Sequence, residues 1–305
     1  MLSFEDSYFL GETRDGFYIE PMMKCAWAAQ LEVMCVVQQI CEKHNIRYFA
    51  DWGTLLGAVR HNGFIPWDDD MDICMPRADY QRFLRIAPQE LQGEYHINNM
   101  YTQPDYTLAF SRILNAGSIS YTPERLREFH GCPYMVGIDI FPLDSIPQNT
   151  NEDNVQHQLV SILIGTVENC KDHLGEVIEL LPELEKLCGM RFDPQGNIPN
   201  QLLRAIDVIS QLYNSTDSPY VRFIACASRP HLRREWYTSC QYLPFENLML
   251  PVPADYDAAL TEMYGNYMVP VRGTAAHDYP FYKKQTAAMS ETIASRIIRG
   301  ENPFI

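Results

Sequence analysis

Residues 66–73 read Pro-Trp-Asp-Asp-Asp-Met-Asp-Ile, four carboxylates held between apolar flanks. On a strand, side chains alternate faces with a period of two. Met71 and Ile73 then turn toward a core, and Asp70 and Asp72 share the other face, with Asp68 beside them if the strand starts early. Same-face neighbours stand about 6–7 Å apart by strand rise. Carboxylates this close repel one another and resist desolvation, and no dense group of Lys or Arg lies nearby in the sequence. A hard divalent cation, Mg²⁺ or Mn²⁺, neutralises such a cluster through oxygen ligands. Asp139, between Ile138 and Ile140 in an apolar run over 134–141, is the candidate third acid on an adjacent strand.

An isolated Asp-x-Asp pair is more often a solvated acidic face than a metal site. The sequence just upstream changes that weighting. Residues 51–60, Asp-Trp-Gly-Thr-Leu-Leu-Gly-Ala-Val-Arg, read as the end of a strand over 46–52, a Gly53-Thr54 turn and a short helix over 55–61 closed by Asn62-Gly63. A helix N-terminus offers free amide donors and a positive dipole end to a phosphate, and Gly53 lets that phosphate approach the backbone. Arg60, about two turns further along, adds a phosphate contact.

The stretch GTLLGAVRHNGFIPWDDDMDI resembles the signature of the LicD family, which includes the fukutin-related proteins. Gly53, Thr54, Leu55, Leu56, Gly57, Arg60, Pro66, Trp67, Asp68, Asp70 and Asp72 all stand where that family has them, and Asp139 in GIDIFPLD resembles its third acid. A weaker echo runs through 251–268, so the likeness covers most of 20–145 and about 250–280. It implies an α+β fold, with a nucleotidyltransferase-like core of mixed β-sheet flanked by helices. It also implies transfer of a phospho-alcohol, phosphocholine-like, from a CDP-activated donor such as CDP-choline to a sugar hydroxyl of a cell-surface glycan or glycolipid, such as teichoic acid or lipopolysaccharide. Asp70, Asp72 and Asp139 are then the catalytic and metal-binding acids. Gly53, Thr54, Arg60, Asp68, Trp67 and Arg112 are the candidate substrate contacts. Two alternatives stay open: true nucleotidyl transfer, marked by pyrophosphate release, and a non-catalytic protein that only binds a nucleotide or recruits a glycan enzyme.

Other residues carry weaker signals. Arg112, in a strand-like segment over 106–114, balances between substrate contact and pairing with an acid at the surface. Trp52 and Trp67 suit a trimethylammonium group by cation–π attraction, although a Trp beside a motif is more often core. Asp69 is read as structural, Asp144 as an acid standing behind the others, His277-Asp278 as an exposed loop pair more than a substrate contact, and His44 as a helix end.

Around these motifs, 22–44 has the three-and-four spacing of an amphipathic helix, and Pro76–Asp79 opens another over 77–87 with Pro88 as its stop. Residues 94–100 alternate like a strand. From 151 the periodicity turns helical, in blocks near 152–169, 172–188 and 200–213 interrupted by Pro182 and the loop 193–199, with a last helix near 285–299. The expected organisation is a catalytic core over 1–150, a helical insertion over 151–215 and a C-terminal segment over 216–305 that packs on the core and completes the substrate site. The formal charge of −15 argues against nucleic-acid partners and a polybasic membrane anchor. Nine cysteines without a CxxC pair fit reduced thiols. The early acids of the N-terminus do not read as a signal peptide, and no run approaches the roughly 20 apolar residues of a membrane span. The expectation is a cytoplasmic protein that reaches a lipid-linked acceptor by peripheral contact with the inner leaflet.

Overall fold

A computed structural model describes residues 1–271 and 279–299. The chain opens with a hairpin, β1 (Glu12–Arg14) and β2 (Phe17–Ile19), followed by α1 (Pro21–Lys43), β3 (Phe49–Ala50), α2 (Trp52–His61), β4 (Asp72–Pro76) and α3 (Arg77–Glu90). Then come β5 (His96–Asn98), β6 (Ser111–Leu114), α4 (Pro123–Glu128) and β7 (Gly137–Ser145). Two helices follow, α5 (Thr150–Cys188) and α6 (Ile198–Ser210), then β8 (Tyr220–Arg222), β9 (Leu232–Arg233), the hairpin β10 (Cys240–Phe245) and β11 (Leu248–Pro253), α7 (Tyr256–Tyr264) and α8 (Tyr282–Ile298).

The fold is α+β around a mixed sheet. Its strands run in the order β3-β4-β7-β6-β5, and β8 and β9 continue from the far end of β7. Only β4 and β7 in this sheet are parallel. Period-two alternation explains its two covered faces. Ile73, Met75, Ile113, Ile138 and Ile140 pack with Trp27, Leu31 and Met34 of α1 on one side. Cys74, Phe141 and Leu143 face the other way, under Phe49, Val221, Phe223, Leu232 and Tyr237.

Several boundaries differ from the sequence reading. The strand expected over 46–52 shrinks to Phe49–Ala50, because α2 already begins at Trp52. Pro88 does not stop α3, which runs to Glu90. The three helical blocks are present: α5 is two helices joined across a kink, and α6 is the third. Pro182 lies inside α5, and the break sits earlier, at His173 (φ −133°, ψ 38°). Asn149 caps α5 by accepting the Asn151 and Glu152 amides, and Gly189 ends it at φ 66°. Helices α5 and α6 share an apolar cluster that includes Val160, Leu163, Leu181, Leu202 and Ile206 and also takes in Met100, Ala109, Ile146 and Ile224.

Buried ion pairs tie that helical layer to the sheet. Arg77 donates to both oxygens of Asp144 on β7 (2.7 and 2.6 Å) and to Asp207 on α6 (2.6 Å). Asp153 on α5 accepts from Arg222 on β8 and pairs with His231, each at 2.8 Å. Burial pushes the Asp153 carboxyl up, but the hydrogen bonds from Arg222 and His231 outweigh it and hold the group below the usual carboxylate range. A lowered pKa contributes stability above the unfolded value and loses it as pH falls through the folded one. Asp153→Asn is therefore expected to cost about 2 kcal/mol near neutral pH. The gap from the parent chain should close below about pH 4 in urea unfolding followed across pH.

Candidate active site

The sheet register assembles the site. Asp72 on β4 is the direct partner of Asp139 on β7, and Asp139 is the partner of Arg112 on β6. Arg112 in turn faces Asn98 on β5. Asp51, one residue past β3, donates its amide to the Asp72 carbonyl at 3.1 Å and extends the row. Paired residues on adjacent strands project to the same face, with backbones about 4.8 Å apart. One line across the sheet thus carries three carboxylates, one guanidinium and one amide. Asp70 does not lie on the strand as expected, since β4 begins only at Asp72. It stands in the loop just before it, close enough to act on Asp72 electrostatically.

The charge balance of this row is unfavourable as it stands. The Asp72 carboxyl is pushed well above the usual range, first by burial and then by Asp70, Asp139, Asp68 and Asp51. Burial also lifts Asp51, which is fully buried, to about 6, against hydrogen bonds from Cys74, the Trp52 amide and Tyr237. Arg112 supplies a counter-charge that was invisible in the local sequence. Its Nε and Nη2 grip both oxygens of Asp139.

The phosphate-binding turn expected at Gly53-Thr54 is instead the first turn of α2. Asp51 caps this helix, its Oδ1 accepting the Trp52 amide at 2.8 Å. Trp52 makes the sharp entry at φ 48°, in the left-handed region. A Cβ on Gly53 would fall 2.3 Å from Asp68 Oδ2, so glycine is what lets the Asp68 carboxylate lie against the helix. Thr54 is 2% exposed, and its hydroxyl accepts the Asp72 amide at 2.7 Å. The hydroxyl expected on donor phosphate thus fixes the backbone of the central acid. Thr54→Val keeps the shape and orphans that amide. The expected result is a loss of about 1–3 kcal/mol in urea unfolding and a fall in turnover of roughly tenfold, with Thr54→Ser close to the parent chain.

The remaining candidates surround this centre. Arg60 donates to the Tyr267 carbonyl at 3.0 Å, while its Nε is buried without a hydrogen-bond partner. Trp67 packs edge-on against Phe17 and His61, on the core side of the acidic loop. Trp52 joins an aromatic floor with Phe141 and Phe223, and Phe110 extends it. The acidic loop is clamped by α1: Trp27 donates to the Asp68 carbonyl at 3.2 Å and Gln30 to the Asp69 carbonyl at 2.8 Å. Asp69 is buried, and its carboxylate accepts the Phe281 amide. Asp144 does not stand behind Asp139. It lies at the other end of β7 with Arg77. His44 caps the end of α1 and meets Glu90 at 2.7 Å. His277 and Asp278 fall outside the described residues.

Several neighbours of the row escaped sequence reading. Asp51 had a signal, an acid directly before an apolar helix. Tyr106, Tyr264 and Cys226 had none, being brought in from far along the chain. Burial raises the pKa of all three, and Asp139 adds to the rise at Tyr106, Asp51 and Asp72 at Tyr264, and Asp72 and Asp139 at Cys226, which reaches about 12. The Tyr106 hydroxyl is buried and unpartnered.

The donor set fits a hard divalent cation. Its groups are all carboxylates, and their mutual repulsion is what such a charge relieves. Among the described residues no group of three or more His, Cys, Asp or Glu side chains is placed to hold a metal ion. Mg²⁺ is commonly held by one or two carboxylates completed by water and substrate phosphate, and Asp70 with Asp72 meets that requirement.

Residues 45–158, which contain the whole row, match the family model LicD/FKTN/FKRP, nucleotidyltransferase domain. This stretch is a LicD-family domain. Over 253 residues the chain is 26% identical to the lipopolysaccharide cholinephosphotransferase LicD of Haemophilus influenzae, covering 78% of this chain and 88% of that one. A Rickettsia prowazekii protein of unassigned function, RP689, is 28% identical over 162 residues, 51% of this chain and 54% of its own length. The human ribitol 5-phosphate transferase FKRP is 41% identical over 49 residues, 16% of this chain and a tenth of that protein. Among the described residues no helix is long and apolar enough to cross a membrane.

Proposed function

We propose that the protein transfers a phospho-alcohol, phosphocholine-like, from a CDP-activated donor to a sugar hydroxyl of a cell-surface glycan or glycolipid, in a metal-dependent reaction. The observation that carries this reading is the cross-strand pairing of Asp72 with Asp139, with Asp70 beside them. The Haemophilus and human relatives, a cholinephosphotransferase and a ribitol 5-phosphate transferase, support the same chemistry.

In this reaction the acceptor hydroxyl oxygen attacks the phosphorus that bears the alcohol. The bond from that phosphorus to the bridging oxygen breaks, and CMP leaves. Phosphoryl transfer asks chiefly for positioning and charge neutralisation. Asp70 and Asp72 are the groups to hold Mg²⁺ or Mn²⁺, which when bound offsets the charge of the donor pyrophosphate. Asp139, oriented by the two-pronged grip of Arg112, takes the proton from the acceptor hydroxyl. Arg112 and Arg60 are the cations available to donor oxygens, and Gly53 keeps space for Asp68 beside them. The aromatic floor around Trp52 suits the alcohol portion. A CDP-type donor puts the reaction in the cytoplasm, and a lipid-linked acceptor would bring the protein to the inner leaflet.

The test is calorimetric titration with CDP-choline, first with Mg²⁺ and then with EDTA. The expected result is saturable binding that EDTA abolishes. No binding in either condition, together with release of pyrophosphate from a nucleoside triphosphate, would replace this reading with nucleotidyl transfer.

A further inference from the structure

The parallel pair β4 and β7 ends at a cavity of about 470 Å³, lined among others by Arg47, Arg77, Ser145, Asn214, Arg234 and Tyr237. In open sheets with parallel strands, ligands favour the space beyond the carboxyl ends of those strands. This cavity has that position. It borders Pro76, the last residue of β4, whereas Asp72 is the first. Four steps along the strand separate the two, roughly 13 Å.

Three arginines converge here in a chain of net charge −15. Two have their counter-ions. Arg77 is saturated by Asp144 and Asp207, and Arg47 meets Asp79 at 2.9 Å. Arg234 differs. Its Nη2 donates only to neutral oxygens, Ser145 Oγ at 2.8 Å and the Thr216 carbonyl at 3.2 Å. Its Nε is buried with no hydrogen-bond partner. Among the described residues no carboxylate lies within ion-pair distance of it. A partly buried guanidinium without a counter-ion costs free energy unless an anion completes it. The volume admits a small molecule, and the Ser145, Asn214 and Thr238 side chains at the wall give a polar surface for hydroxyls.

We propose that this cavity is a binding site for a small, hydroxyl-bearing phosphomonoester, its phosphate completing Arg234. The site is separate from the acid row and does not depend on the reaction assigned to that row. It touches the row at one point: Tyr237, which lines the cavity, donates its hydroxyl to Asp51 Oδ2 at 3.4 Å.

The test is calorimetric titration of the whole chain with glucose 1-phosphate, inorganic phosphate and glucose, in EDTA and low salt. Glucose 1-phosphate should bind one to one, inorganic phosphate more weakly and glucose not at all. Arg234→Gln should weaken binding roughly tenfold, and raising the salt should weaken it too. Arg47→Gln, at a side chain 54% exposed and safe for folding, should weaken it a few-fold. Asp72→Asn should leave it unchanged. Absence of binding to the parent chain overturns the proposal. Binding that survives both arginine substitutions, or that disappears in Asp72→Asn, overturns it as well, the latter by moving the ligand to the acid row.

Discussion

Asp72→Asn should abolish measurable transfer, a fall of roughly 10³-fold in turnover, and leave the fold intact or slightly more stable. The two halves of this expectation come from one cause. Asp72 sits beside Asp139 and among Asp70, Asp68 and Asp51, and burial and these charges together push its carboxyl well above the ordinary range. An amide at that position removes repulsion in the ligand-free protein, so thermal unfolding should not come earlier. On the proposed metal-dependent reading it also removes a charged oxygen ligand, so donor binding in Mg²⁺ should weaken together with turnover. The amide hydrogen bond from residue 72 to Thr54 belongs to the backbone and is kept. Turnover at the parent level in this variant would end the metal reading of the row. A fall in turnover accompanied by early unfolding would mean that Asp72 is structural.

Arg77→Met is the second large effect, and it acts on stability. The guanidinium is 6% exposed and serves Asp144, fully buried, and Asp207, 9% exposed. Asp144 also takes the Asn214 side chain at 2.6 Å, and Asp207 the Tyr101 hydroxyl at 2.6 Å. Methionine fills much of the volume but leaves two buried carboxylates facing each other. Removing one partner of a buried pair costs about 3–5 kcal/mol. Burial already pushes the Asp144 carboxyl up with Arg77 present, so the variant should recover part of the loss as acid protonates the pair. Urea unfolding at neutral and mildly acidic pH measures both effects. Adding Asp144→Asn and Asp207→Asn to Arg77→Met should restore most of the stability, because the unpaired charges are then gone. A loss under 1 kcal/mol in Arg77→Met alone would mean that water reaches the network.

Local chemistry made part of this structure readable in advance. Helix α1 was visible in its spacing and its end at His44-Asn45, where Asn45 takes φ 49°. Asn62 likewise closes α2 in the left-handed region. The acidic run and Asp139 were visible as carboxylates in apolar surroundings, and the structure brings Asp72 and Asp139 side by side. What could not be read was register. Nothing local says that Arg112 faces Asp139, or that Asp51 continues the row, because those relations are set by how four strands align. The start of α2 was misplaced for a related reason. Gly53 looked like a turn residue, while its packing against Asp68, fifteen positions away, was hidden. Pro182 looked like a break, but α5 is held by its apolar contact with α6 and accommodates it.

The clamps on the acidic loop carry a consequence for the history of the domain. Residues 45–158 hold the acids, but the bonds that fix the loop come from Trp27 and Gln30 on one flank and from Phe281 on the other. A recombination event that carried only the matched stretch into another gene would move the reactive groups without their restraints. Its heirs would need to evolve new ones, so lineages that share this module should differ most in the segments that hold the loop in place.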